Sequence, residues 1–140
     1  MTLSDQTNPS SPIILCRGVR GATTAAANTR EAILDATTEL AEQMIAANDI
    51  HPEDVASVFL SMTPDLDAVF PAVAIRALGW TQTALLCLQD MVIPTDLPRT
   101  IRILIHWNTA LTLDQVQPIY INGAEVLRPD LAHTHAEEGE

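Results

Sequence analysis

Ile13-Ile14-Leu15-Cys16-Arg17-Gly18-Val19-Arg20-Gly21-Ala22-Thr23-Thr24 is the stretch on which the reading of this chain turns. An apolar run leads into two arginines and two glycines, which predicts a first strand over about residues 13–21. That strand delivers guanidinium groups just where the backbone must turn. Gly18 and Gly21 permit the bend, and the place suits an anion.

Composition gives that placement its meaning. All seven basic residues are arginine, at 17, 20, 30, 76, 99, 102 and 128, while eighteen acidic residues bring the formal net charge to −11. The overall field repels nucleic acid and anionic membranes, so neither is an expected partner. A few converging arginines can still hold a small anion. Arg20, Arg76, Arg102 and Arg128 are embedded in or beside apolar segments, as structural ion pairs or as a shared anion site, whereas Arg30 and Arg99 read as surface residues.

Length and apolar content set the frame. A chain of 140 residues with 47 % hydrophobic residues suits one soluble domain with a modest core. No apolar run approaches the roughly 20 residues that span a bilayer. Residues 1–12 carry neither the basic nor the apolar region of a secretory signal and read as a flexible leader. Cys16 and Cys87 sit in strand-like contexts and read as reduced thiols of a cytoplasmic protein, bridged only if their strands are neighbours.

Asn28 with Glu31 resembles a capping box, and the helix it opens places Ile33, Thr37, Leu40, Met44 and Ala47 on one stripe before stopping near Asn48-Asp49. After a turn at Pro52-Glu53-Asp54, a second strand runs from Val55 to Met62. Pro71 starts a shorter helix that Gly79 ends. Thr81–Leu88 reads as a third strand, Thr100–Asn108 as a fourth, Ile119–Ile121 as a short extended piece and Ala124–Leu127 as a last one. The result is a mixed α/β or α+β domain over residues 13–131, one main sheet against one long helix, followed by a mobile acidic tail at 132–140. One helix covers one face of a sheet. With strands as apolar as Ile101-Ile103-Ile105, the other face calls for a second copy of the chain.

In the fourth strand Arg102 alternates against Ile101 and Ile103, so it shares a face with Leu104 and His106. If strands three and four are antiparallel neighbours, Asp90 and Arg102 flank their connection and can meet. They then form either a plain salt bridge or a carboxylate that orients the guanidinium for a ligand. His133 and His135 lack further partners, so no metal site is expected. The phosphate-loop, dinucleotide, nucleophile-elbow and Cys-x-x-Cys motifs are all missing, which leaves no usual apparatus for nucleophilic, metal or cofactor chemistry.

Arg17–Thr24, Ser61-Met62-Thr63-Pro64-Asp65-Leu66-Asp67-Ala68-Val69-Phe70-Pro71-Ala72 with Arg76, Cys87-Leu88-Gln89-Asp90-Met91, Ile101-Arg102-Ile103 and Val126-Leu127-Arg128-Pro129-Asp130-Leu131 together resemble the monofunctional chorismate mutases of the AroH class, in register from about Ile14 to Leu131. The resemblance implies a homotrimeric pseudo-α/β barrel with active sites between subunits. It implies conversion of chorismate to prephenate in aromatic amino acid biosynthesis, without a cofactor.

Carried over, Arg20 would bind a substrate carboxylate and Arg102 would face the ether oxygen of the breaking bond. Tyr120 would hydrogen-bond near a carboxylate, and Phe70, Arg76, Leu86 and Cys87 would complete the walls. Leu127 and Arg128 would belong to a C-terminal segment that closes over the site. Two positions depart from the family: Asp90 replaces a common glutamate, withdrawing the carboxylate by about 1.5 Å, and Val73 replaces a lysine. The alternative these departures suggest is a trimeric small-carboxylate-binding protein that has kept the fold and lost turnover.

Overall fold

The computed structural model describes residues 12–131. The expected leader and acidic tail, with His133 and His135, lie almost wholly outside the described residues. The elements run β1 (Leu15–Thr24), α1 (Arg30–Asn48), β2 (Val55–Met62), α2 (Ala72–Ala77), β3 (Ala84–Gln89), β4 (Thr100–Thr109) and β5 (Ile119–Tyr120). Short 3-10 turns cover Pro52–Asp54 and Ala124–Leu127. The second of these corrects the extended piece expected there. Asn122 and Gly123 both take positive φ, 56° and 91°, and reverse the chain before it can extend.

The five strands form one mixed sheet in the order β3-β2-β4-β1-β5. Both β1 and β2 run antiparallel to β4, while β3 lies parallel to β2 and β5 parallel to β1. So β2 separates the third and fourth strands that the sequence suggested as neighbours. Cys16 and Cys87, on β1 and β3, are likewise kept apart and are free thiols.

The period of two divides the sheet cleanly. Val19, Val58, Leu60, Ile101, Ile103 and Ile105 point to one face and are buried. There all but Ile101 meet Leu40 and Met44 of α1, Ile75 of α2, Trp80 and Ile119, while Ile101 packs with Ile33 and Ala36 of α1 and with Leu66. Thr29, rather than Asn28, caps α1, its side chain accepting from the Ala32 amide at 3.1 Å. Asn28 clasps the loop after β2 instead, donating to Asp67 Oδ1 and accepting from the amides of Asp67 and Ala68. Ala47 is exposed and Asn48 buried; the Asn48 side chain ties the end of α1 to the backbone of Gln117, just before β5.

β1 does not bend at residue 21, as the glycines suggested; it continues straight to Thr24. Gly21 is needed for a different reason, since a Cβ there would run into the Met44 sulfur and Leu40 Cδ1. Gly21→Ala is expected to cost about 1–3 kcal/mol by overpacking. It should appear as a lower denaturant midpoint with an unchanged slope, and an unchanged midpoint would mean that α1 gives way freely.

Three chain segments are pinned together where β4 begins. The amide and carbonyl of Thr63 and Thr100 are joined through Thr63 N–H to Thr100 O at 3.0 Å and Thr100 N–H to Thr63 Oγ1 at 3.0 Å. Asp65 accepts from the Thr63 hydroxyl and from the Arg99 amide at 2.9 Å, and Arg99 Nε reaches the Ala25 carbonyl at 3.1 Å. The Thr63 hydroxyl does most to hold the Asp65 carboxyl below its usual range, burial opposes it, and Arg99 adds to the lowering. A depressed carboxyl adds stability above its unfolded value and loses it as the pH falls through the folded one. Asp65→Asn should therefore lower the unfolding free energy most near neutrality. The gap from the parent protein should close below about pH 4, as followed by denaturation at a series of pH values.

Candidate active site

The second face of the sheet is the one α1 leaves open. Arg102, Leu104 and His106 of β4 stand on it, beside Ser57, Phe59 and Ser61 of β2 and Gly18, Arg20 and Ala22 of β1. Leu86 and Leu88 extend it over β3, about half exposed, and Tyr120 over β5. Arg17 and Arg20 are three residues apart on a strand, so they face opposite ways. Only Arg20 reaches this face, while Arg17 Nε donates to the Leu111 carbonyl at 3.2 Å. Of the four arginines read as embedded, Arg20 and Arg76 are exposed in the single chain, and Arg102 and Arg128 are half-buried.

Arg20, Arg102 and Tyr120 line one cavity of about 330 Å³, together with Phe59, Ser61, Leu88 and Leu104. Three of the residues expected from the sequence thus converge from three strands. Leu104 stands on the face of Arg102 as the alternation implies; Phe59 and Ser61 were not singled out from the sequence, although their alternation with Val58 and Leu60 marks their face once β2 is paired with β4. Above the cavity, Asp90 Oδ2 accepts from Arg102 Nε at 3.1 Å, and Asp96 stands 3.7 Å from Arg102 Nη2. Asp90 reaches Arg102 across the end of β2, where its amide bonds the Met62 carbonyl at 2.9 Å. The contact holds although the adjacency of strands three and four that suggested it does not.

Further along the open face, the Ser57 hydroxyl is 3.1 Å from His106 Nδ1, and the His106 ring meets Phe59 edge-on at 5.2 Å. His106 is thus occupied by packing and hydrogen bonding on the face it shares with Arg102.

Phe70 and Cys87 lie elsewhere. They line a second cleft, of about 810 Å³, between the loop before α2 and β3, with Val73 and Arg30 on its walls. Phe70 is 70 % exposed. Arg76 is exposed on α2, and Leu86 stands on the open face outside the first cavity. One chain therefore carries two sets of the expected residues, arginines and tyrosine in one cavity and Phe70 and Cys87 in an adjoining one, with Leu88 in the wall of both.

Leu127 is half-buried in the C-terminal 3-10 turn, and Arg128 follows it. Arg128 donates to both carboxylate oxygens of Asp130, at 3.1 and 3.0 Å. That pairing holds the Asp130 carboxyl below its usual range and the Arg128 guanidinium above its own.

Chemically the cavity offers fixed cations and a phenol, with a tethered carboxylate behind one cation. Among the described residues no group of three or more His, Cys, Asp or Glu side chains is placed to hold a metal. Such an arrangement can bind an anion, fix its shape and stabilise charge that develops beside Arg102.

The profile described as chorismate mutase type I matches residues 16–131. A protein of Bacillus subtilis (strain 168) named chorismate mutase AroH is 43 % identical over 122 residues, 86 % of this chain and 96 % of that protein. One of the same name from Thermus thermophilus is 43 % identical over 118 residues, 84 % of this chain and 97 % of that one. The solved structure of a chorismate mutase from Clostridium thermocellum superposes with a TM-score of 0.77 at 39 % identity, covering 79 % of this chain and 98 % of that one.

Proposed function

The chain belongs to the chorismate mutase type I family, a family of isomerases, and on that premise we propose where its reaction runs: chorismate is rearranged to prephenate in the cleft lined by Arg20, Arg102 and Tyr120. The observation that carries this reading is the shared cavity. Two guanidinium groups from different strands open into one space, of a size that suits a small ligand.

The rearrangement is unimolecular. It needs no nucleophile, proton transfer or cofactor, so the protein contributes shape and charge. Arg20 grips a carboxylate of the dianion and Tyr120 hydrogen-bonds beside it, favouring the compact conformer in which the new carbon–carbon bond can form. As the carbon–oxygen bond breaks, negative charge grows on the ether oxygen. Arg102 faces that atom and binds the transition state better than the substrate.

The site is a shared one in this proposal. Asp90 and Asp96 both pair with Arg102, which offsets much of its charge, so one chain brings a dianion only a modest net positive charge. A neighbouring copy that brings Phe70, Arg76 and Cys87 over the cavity supplies both a cation and a wall. Leu127 and Arg128 close the C-terminal side. A homotrimer of pseudo-α/β barrel form, with a site at each junction, accounts for the open face, for the exposed Leu86, Leu88 and Phe70, and for the second cleft. The reaction serves aromatic amino acid biosynthesis, and we place it in the cytoplasm. No described helix is long and apolar enough to cross a membrane.

The direct experiment is to follow loss of chorismate absorbance and appearance of prephenate with purified protein. Saturable binding of chorismate without prephenate would overturn the proposal.

A further inference from the structure

Arg102 is braced by two carboxylates of one loop, the connection between β3 and β4. Asp90, at its start, takes Nε at 3.1 Å with its side chain only 10 % exposed, and Asp96, six residues on, stands 3.7 Å from Nη2 with its side chain 26 % exposed. The longer distance is beyond a hydrogen bond and is an ion pair. The Arg102 side chain is the most open of the three, at 41 %. Both acids engage the Nε and Nη2 side, and neither takes the hydrogens of Nη1.

The Asp96 carboxylate is held in its orientation. Oδ1 accepts from the Leu97 amide at 3.0 Å, which leaves Oδ2 for Arg102, and the Asp96 amide bonds the Ile93 carbonyl at 3.0 Å. The loop is rooted in turn by Thr100, fully buried at the start of β4, whose hydroxyl donates to the Leu97 carbonyl at 2.9 Å. A line of bonded groups therefore runs from the first residue of β4 around the loop and back to the third.

We propose that Asp96 is a positioning residue for Arg102. It restrains the Nη2 side of the fork so that the guanidinium keeps one rotational setting and presents Nη1 in a constant direction to the substrate. This rests on Arg102 being the cation at the reacting centre, as proposed above. A long arginine side chain held by Nε alone can still swing its outer nitrogens, and a cation stabilises developing charge best when it need not reorganise as that charge appears.

Removing the Asp96 charge has two effects of opposite sign. The cavity becomes more positive, which favours the dianion in its ground state, while the fork loses its setting, which weakens the transition state. So kcat falls and KM does not rise. A loop that merely unfolded would lower the amount of working enzyme or raise KM instead.

The test uses Asp96→Asn and Asp96→Glu in the full-length protein, with steady-state chorismate kinetics and nitrogen-15 NMR of the Arg102 side chain. For Asp96→Asn we expect kcat about tenfold lower with KM unchanged or reduced. The Arg102 Nη signals should be separate in the parent protein and merge in the variant as rotation is freed. Asp96→Glu should restore both. An Asp96→Asn kcat within twofold of the parent, or Nη signals that do not change, would overturn the proposal, as would a raised KM. Arg102→Ala serves as the control: if it keeps near-normal turnover, the reading of Arg102 fails, whereas the NMR comparison still upholds or rejects the hold of Asp96 on the guanidinium.

Discussion

Arg102→Ala is expected to lower kcat for chorismate by about 10²- to 10³-fold, the cost of removing one preorganised donor from developing negative charge. The loss should fall on kcat more than on KM, because the ether oxygen carries its charge only in the transition state and substrate binding is shared with Arg20. The fold should survive. Arg102 sits on the open face of the sheet with its side chain 41 % exposed, and the core on the other face does not include it. Asp90 is left without its partner, so a modest fall in melting temperature is expected alongside. Arg102→Lys should recover only part of the rate, since it restores a point charge and not the fork that Asp90 and Asp96 hold from one side. Turnover at saturating chorismate and circular dichroism decide the matter. A kcat within threefold of the parent, in a folded protein, would remove Arg102 from the reacting centre.

Two inactive variants should repair one another when they share an oligomer. Arg20, Arg102 and Tyr120 line one cavity, and Phe70 and Cys87 line an adjoining one, with Leu88 in the wall of both. If each site joins the arginine side of one subunit to the Phe70 and Arg76 side of the next, damage to either side inactivates a homogeneous oligomer. Arg102→Ala damages one side, and the double change Phe70→Ala with Arg76→Ala damages the other. In oligomers assembled at random from equal amounts, half of the sites have an intact arginine side and, independently, half have an intact aromatic side. About one site in four then has both. Two different tags retain only the mixed oligomers, and a mixed trimer has one such junction in three, so the purified material should regain about a third of the parent activity from two nearly inactive components. A mixture no more active than the mean of its parents would mean that each site lies within a single chain.

Local chemistry was legible in the sequence where one element decides it. Alternation along Val55–Met62 and Thr100–Asn108 placed β2 and β4 to within a residue, and put Arg102 opposite the isoleucines as found. The helix ends were legible to within a residue or two. Asn28 reads as the cap, yet Thr29 beside it serves the helix, and only the position of Asp67, brought close by the fold, turns Asn28 to another task. Strand order was not legible, because β3 pairs with β2 through contacts that no local pattern encodes. For the same reason Asp90 was linked to Arg102 by a mistaken adjacency, yet the link itself is correct. Asp96 was passed over as one polar residue in a loop with two prolines. Its meaning depends on the loop folding back so that Leu97 aims the carboxylate, which a sequence read in order does not disclose. The separation of Phe70 and Cys87 from the arginines was visible only as a resemblance to proteins assembled from several chains.

The two cations hang from β1 and β4, strands paired along the whole of their length, with β4 flanked on both sides. Amide hydrogens in such strands exchange with solvent only through the rarest openings, while frayed ends and loops exchange freely. The spacing of Arg20 and Arg102 is thus governed by the last hydrogen bonds the domain surrenders. Breathing at the chain ends or along the loop leaves that spacing intact, and heat abolishes it only when the whole sheet comes apart.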